Sequence, residues 1–328
     1  MMNILMTGGA GFLGTLLARE ILRRDRLCGE GVSSLTLADR VAPTRPELLT
    51  HPKVVVDTGD LLERMDSLFE RDFDVVFHLA SAVSGECEAD FDLGLRSNLD
   101  STRRVLDCLR AQQMRSGRAP IFFFASSVAV FGSDPAIPMP EVVTDQTLPT
   151  PQSSYGIHKF ICEQLVADYT RKGFIDGRVA RLMTVSVRPG RPNGAASSFL
   201  SGIVREPLAG IPTRCPVSLD TAVALSSPNT SISGVLAVVE ATREAFGGRT
   251  ALNLPALTVT VGQMLQALRE VAGDQVAELV TVEPDVAITR IVGGWPARFE
   301  CERTRRLGLQ ADPSYQYIIR QYIEMMGA

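Results

Sequence analysis

The sequence predicts an α/β protein with a doubly wound parallel sheet and a smaller C-terminal α/β substrate region. Three observations carry that prediction. The chain opens on an apolar run, Asn3-Ile4-Leu5-Met6, a glycine turn, Thr7-Gly8-Gly9-Ala10-Gly11-Phe12-Leu13-Gly14, and a helix-like stretch from Phe12 to Leu27. Short apolar runs then alternate with helical periods as far as Val187, the pattern of right-handed crossovers between parallel strands. Tyr155 and Lys159 stand four apart at the start of a predicted helix, where residues at that spacing share one face.

The glycine turn fits two registers, Gly9-Gly11-Gly14 or Gly8-Gly11-Gly14. A backbone that must bend sharply and approach a pyrophosphate cannot carry a Cβ, and the free N–H groups of the following helix attract the phosphate charge. Gly8, Gly11, Phe12, Leu13 and Gly14 are therefore expected to cradle a dinucleotide. Ser34 to Asp39 reads as the second strand and ends in an acid. A carboxylate there accepts the adenosine ribose hydroxyls and repels a 2′-phosphate, so Asp39 favours NAD over NADP, although Arg40 beside it offers a cation to such a phosphate.

Val54 to Val56 is a short third strand, and Asp60-Leu61, expected beside adenine, opens a helix to Glu70. The run Asp74 to Ala80 is typical of a strand buried on both faces, with His78 as a hydrogen-bonded core histidine rather than a ligand. Leu79, Ala80 and Ser81 fall at its carboxyl end, where ligands bind in open sheets. The polar segment Ser81 to Asp90 is expected as a loop over the nicotinamide, followed by a helix from Phe91 to Arg115 that carries Asn98. Ile121 to Phe124 is the next buried strand and runs into Ala125-Ser126-Ser127. Ser133 to Gln152, rich in proline and turn formers, reads as a surface excursion. Ser153 and Ser154 then cap a helix reaching about Lys172, and Val179 to Val187 is another strand. Beyond Arg188 the texture breaks at Pro189, Gly190, Pro192, Asn193 and Gly194, and helices follow near Phe199 to Arg205, Ser231 to Phe246 and Tyr315 to Met326. The expected division is 1–190 for nucleotide and 191–328 for substrate, the second partly interleaved with the main sheet.

Ser127, Tyr155 and Lys159 form the constellation that carries chemistry. A free tyrosine titrates near pH ~10, and a neighbouring lysine cation, helped by the positive oxidised nicotinamide, stabilises its phenolate. Ser127 would hold a substrate oxygen while Tyr155 takes its proton and the carbon gives hydride to the nicotinamide.

Composition narrows the partners. The net charge is −4, with Lys and Arg spread along 328 residues, so neither nucleic acid nor an anionic membrane is indicated and a small molecule is the expected partner. No apolar run approaches the ~20 residues of a membrane span and no signal peptide is evident, so a cytosolic protein is expected. Six scattered cysteines without a CxxC pair, and only three histidines, argue against a structural metal site and a disulfide framework. Cys87, between Glu86 and Glu88, is expected to be more exposed than the others, with acidic neighbours that disfavour a thiolate.

These motifs together resemble the extended short-chain dehydrogenase/reductases of the epimerase/dehydratase branch. Thr7 to Gly14 matches TGxxGxxG, His78-Leu79-Ala80 the HxA strand end, and Asn98 the structural asparagine. Ser127-Val128-Ala129-Val130-Phe131-Gly132 matches S-x-x-V-Y/F-G, and Tyr155 to Lys159 matches YxxxK. The resemblance covers the whole chain. It implies a Rossmann domain with tightly held NAD contacted by the turn, Asp39, Asp60, Leu61, Leu79, Ala80, Ser81, Asn98, Tyr155, Lys159 and Pro189. It also implies the roles derived above for Ser127, Tyr155 and Lys159, and a homodimer.

The substrate side departs from the sugar-nucleotide enzymes of that family. Where they commonly carry R-x-x-N-V-Y-G-P, this chain reads Arg188-Pro189-Gly190-Arg191-Pro192-Asn193-Gly194, and the V-Y-G-P part is absent. Arg188 to Phe199, with Ala82 to Asp92 and Ile203 to Gly210, is instead similar to the D-erythronate dehydrogenase group. That resemblance implies oxidation of the 2-hydroxyl of a four-carbon sugar acid, giving 2-dehydro-D-erythronate. A small carboxylate then needs a planar guanidinium, from Arg191 or Arg205, with Ser84, Asn193 and Ser197 reading hydroxyls. The competing readings are a nucleotide-sugar epimerase that retains NAD and returns the hydride, and a catalytically silent NAD sensor of the same fold.

Overall fold

A computed structural model of the chain describes residues 1–190 and 196–327. Its first part contains β1 (Met2–Thr7), α1 (Phe12–Arg24), β2 (Glu30–Asp39), β3 (Val54–Thr58), α2 (Leu61–Leu68), β4 (Val75–His78), α3 (Ser101–Ser116), β5 (Ile121–Ser127), α4 (Ser154–Arg171) and β6 (Asp176–Leu182). Beyond these come α5 (Phe199–Leu208), β7 (Ala222–Ser226), α6 (Pro228–Glu240), β8 (Leu252–Asn253), β9 (Leu257–Thr260), α7 (Val261–Ala272) and α8 (Tyr315–Gly327). The main sheet runs β3-β2-β1-β4-β5-β6-β8 with every neighbouring pair parallel, and a two-residue strand, Arg26–Leu27, hairpins onto β2. The winding reverses at β1, between β2 and β4, and ligands of such sheets bind outside the carboxyl ends at that switch point.

Alternation along the strands builds two cores. Ile4, Met6, Phe77 and Phe123 face one side with Leu17 and Ile21 of α1, whereas Leu5, Val76, Phe122 and Phe124 face the other with Leu106 and Leu109 of α3. Both faces are covered, which is why these strands read as unbroken apolar runs. A third core unites Val223 of β7, Ile203 of α5, Met264 of α7 and Ile318 of α8. The later chain is not a separate appendix, because α6 supplies Val235 and Val239 to the core of α1 and β8 pairs with β6.

Several elements differ from expectation for local reasons. α1 stops at Arg24 because Asp25 turns left-handed, φ 51°, and the chain folds back into the hairpin. The expected loop over the nicotinamide contains a helix, Ser84–Ala89, whose start is closed by the Glu86 carboxylate accepting the Val83 N–H at 2.8 Å. The helix after Phe91 is interrupted by a π-helical turn, Leu95–Asp100. Within the proline-rich excursion, Val143–Thr144 pairs with Phe299–Glu300. The strand expected through Val187 ends at Leu182, and Thr184–Val185 pairs with β7 instead. The helix expected from Ser231 to Phe246 begins at Pro228, ends at Glu240, and is followed by a short helix capped by Thr242. Among the described residues no helix is long and apolar enough to cross a membrane.

Candidate active site

The glycine turn is folded tightly against the end of β4. Gly8 adopts φ +73°, and a Cβ there would lie 2.7 Å from the Ala80 nitrogen; at Gly14 it would lie 2.2 Å from the Gly8 oxygen. Only hydrogen fits at either position, so Gly8 and Gly14 carry the close packing of this turn. Gly8 N–H donates to the Ala38 carbonyl at 2.8 Å, and Asp39 accepts the Ala10 N–H at 3.0 Å, which fixes the acid beside the turn. α1 begins at Phe12 with no side-chain cap, leaving its first N–H groups, Leu13 and Gly14 among them, to solvent or an anion. A tight backbone cradle, an uncapped helix start and an adjacent carboxylate fit the pyrophosphate and ribose of NAD.

Asp60 caps α2 through the Leu62 N–H at 2.9 Å and pairs with Arg96 at 3.2 Å, which sets Leu61 at the helix start. Leu79 N–H donates to the Thr7 carbonyl at 3.1 Å, so Leu79 and Ala80 flank the glycine turn. Ser81 donates to Asn98 Oδ1 at 3.0 Å, and the same oxygen accepts the Ala82 N–H at 2.7 Å. Asn98 Nδ2 meets the Ala82 carbonyl and Cys87 Sγ, each at 3.2 Å. The amide of Asn98 is thus fully engaged, and it acts on the site by bracing this segment. Cys87 is buried rather than exposed, and burial pushes its thiol up.

Ser127 closes β5 with Oγ accepting the Ala129 N–H at 3.1 Å. Ser153 caps α4 through the Gly156 N–H at 3.1 Å, so Tyr155 lies in the first turn and Lys159 one turn on. A Cβ on Gly156 would stand 2.1 Å from the Ala129 oxygen, so the helix start presses directly on the turn that follows Ser127. Lys159, only 3% exposed, donates to the Ala125 carbonyl at 2.9 Å and holds its ammonium 5.4 Å from the centre of the Tyr155 ring. β5 and α4 thereby set Lys159 against Tyr155 and pack the turn that follows Ser127 against the start of the same helix.

Behind them lies an ion pair that the sequence reading missed. Glu163, one turn past Lys159, binds Arg181 of β6 through two contacts of 2.9 and 2.7 Å and accepts the Ser126 hydroxyl at 2.5 Å. Glu88 accepts the Ser154 N–H at 2.8 Å, docking the Ser84–Ala89 helix onto the start of α4. The i,i+4 spacing of Lys159 and Glu163 was the available signal for the first; nothing local marks the second. His78 is a core histidine, bonded to Thr7 at 2.7 Å and Thr102 at 2.9 Å, and burial, with Lys159 nearby, pushes it down to about 3.

The substrate side is partly redrawn. Arg205 is not available as a clamp: it is 8% exposed, pairs with Glu206 at 2.5 Å and donates to the Arg188 carbonyl at 2.8 Å. Arg191 and Asn193 lie outside the described residues. Ser84 and Pro189 are half-buried. Ser197 accepts a bond from Arg188 Nη2 at 3.0 Å, while the Arg188 N–H donates to Ser201 at 3.0 Å. Burial and the Arg205 charge push Arg188 below the ordinary arginine value, and the Tyr155 phenol lies close enough to act in the opposite direction.

Residues 4–219 match the NAD dependent epimerase/dehydratase family. A D-erythronate dehydrogenase of Cupriavidus necator is 48% identical over 332 residues, covering 99% of this chain and 99% of its own. The D-erythronate dehydrogenase of Haemophilus influenzae is 39% identical over 325 residues, covering 98% and 99%. A crystal structure described as the nucleoside-diphosphate-sugar epimerase from Agrobacterium tumefaciens superposes with a TM-score of 0.92 at 39% identity, over 100% of this chain and 95% of that one. Because the match runs from β1 past α5, through every element that builds the cradle and the Ser127, Tyr155 and Lys159 site, this chain belongs to the NAD dependent epimerase/dehydratase family.

Proposed function

We propose that the protein uses NAD to oxidise the 2-hydroxyl of D-erythronate, giving 2-dehydro-D-erythronate. The full-length likeness to two D-erythronate dehydrogenases carries this reading, and the Lys159 ammonium held beside the Tyr155 ring supports it. NAD supplies the hydride acceptor when bound. Gly8, Gly11, Phe12, Leu13 and Gly14 would hold its pyrophosphate and Asp39 its adenosine ribose. Asp60 and Leu61 would face adenine, with Leu79, Ala80, Ser81 and Pro189 toward the nicotinamide.

The proton work falls to this chain's own side chains. The Ser127 oxygen accepts the Ala129 N–H, so its own proton remains for the substrate's 2-oxygen. Tyr155 takes the proton of the 2-hydroxyl, and the adjacent Lys159 ammonium stabilises the negative charge of the phenolate. Lys159 is held in place by the Ala125 carbonyl, so this help is preorganised.

We infer a homodimer formed through α4, where Ile157 and Ile161 are 44% and 39% exposed one turn apart and Phe91 packs nearby on His158. Free cysteines throughout the described chain agree with a cytoplasmic setting.

The test is multiple-turnover NADH formation with purified protein, NAD and a panel of four- and five-carbon aldonates. D-Erythronate is expected to be oxidised over many turnovers. Absence of NADH with every acid, with NAD copurifying and a sugar nucleotide epimerised, would establish the epimerase reading instead.

A further inference from the structure

We infer that Arg188 is the side chain that binds the substrate's carboxylate. The inference rests on the hydroxy-acid reading above. In a 2-hydroxy acid the carboxylate is attached directly to the reacting carbon, so its counter-ion must lie close to the base that takes the hydroxyl proton. Arg188 meets that condition. β6 ends with Leu182 paired to Ser127, and the chain leaving that strand carries Arg188 to within electrostatic reach of the Tyr155 phenol.

The surroundings of Arg188 suit anion binding. Its guanidinium is half-buried, is oriented by Ser197 at 3.0 Å, and has no carboxylate partner within ion-pair distance among the described residues. A charge withdrawn from water without a counter-ion is unfavourable, and an arriving carboxylate relieves that cost while matching the planar fork with two parallel hydrogen bonds. The backbone is held for this task. Ser201 accepts the Arg188 N–H, and Arg205, itself neutralised by Glu206, donates to the Arg188 carbonyl. Arg205 is therefore a positioning residue for Arg188.

Arg188→Met and Arg188→Lys test this against the wild type. Three quantities are compared: kcat/KM for D-erythronate, kcat/KM for D-erythronamide, which lacks the negative charge, and calorimetric binding of NAD. Arg188→Met is expected to lower kcat/KM for the acid about 100-fold or more, chiefly through KM. The amide rate should fall by no more than about 10-fold, since its carbonyl accepts a hydrogen bond but carries no charge, and NAD binding should change by less than about 3-fold. Arg188→Lys keeps charge but loses the fork, and should raise KM for the acid about 10-fold. An unchanged acid-to-amide ratio, or a parallel loss of NAD binding, overturns the assignment.

A second measurement, calorimetric binding of D-erythronate and D-glycerate to the enzyme–NADH complex, separates the two readings. Arg188-dependent binding without turnover would sink the substrate reading and keep Arg188. No binding of either acid by the wild type would sink Arg188 as well.

Discussion

Replacing Tyr155 by Phe removes one oxygen from a side chain whose helix start is fixed by Ser153 and by the contact of Gly156 with Ala129. Turnover is expected to fall about 10²- to 10⁴-fold, the range for losing a positioned base, with NAD binding nearly unchanged by calorimetry. His78 gives a pH prediction. Folded His78 resists protonation to about pH 3, whereas in the unfolded chain it takes up a proton near 6.5. Below 6.5 the unfolded state therefore binds more protons, and stability is lost as pH falls, by about 2 kcal/mol from His78 between pH 6.5 and 5. Urea titrations at several pH values should show that slope flattened in His78→Gln. Tyr155, Lys159 and His78 were legible because spacing or an apolar run fixed their surroundings. Arg205 and Arg188 were not, since an arginine's partner is a tertiary fact, and here Glu206 satisfies one and leaves the other to the site.

α4 holds the reaction in register, and the Glu163–Arg181 pair ties it to β6 while Ser126 ties it to β5. Glu163→Gln leaves the Arg181 charge buried without its counter-ion and is expected to cost about 3–5 kcal/mol in chemical denaturation. The double variant Glu163→Gln with Arg181→Met should recover much of that loss, and full additivity of the two single changes would contradict the coupling. Elements of the sheet were readable because strands covered on both faces show as apolar runs ending at polar residues. The Ser84–Ala89 helix was not, because Glu86 closes its start and Glu88 docks it on α4, neither of which leaves a periodic pattern. The length of α1 was overread because Asp25 turns left-handed ahead of the hairpin.

In the whole molecule, the change of texture near residue 190 marks where the chain begins its third core, while α6 and β8 return to the main sheet and its first core. The inferred dimer places Ile161 at the contact, and Ile161→Glu is expected to shift sedimentation from dimer to monomer while the melting temperature changes little. An unaltered dimer would place the contact elsewhere. The claim that organises the molecule is a hydride leaving C2 of a small acid for NAD, turnover after turnover. D-[2-²H]Erythronate tests it most directly, with mass spectrometry of the nicotinamide cofactor released during turnover. Deuterated NADH in large excess over enzyme is the predicted result, and label that stays in the acid, with no deuterated NADH released, would contradict it.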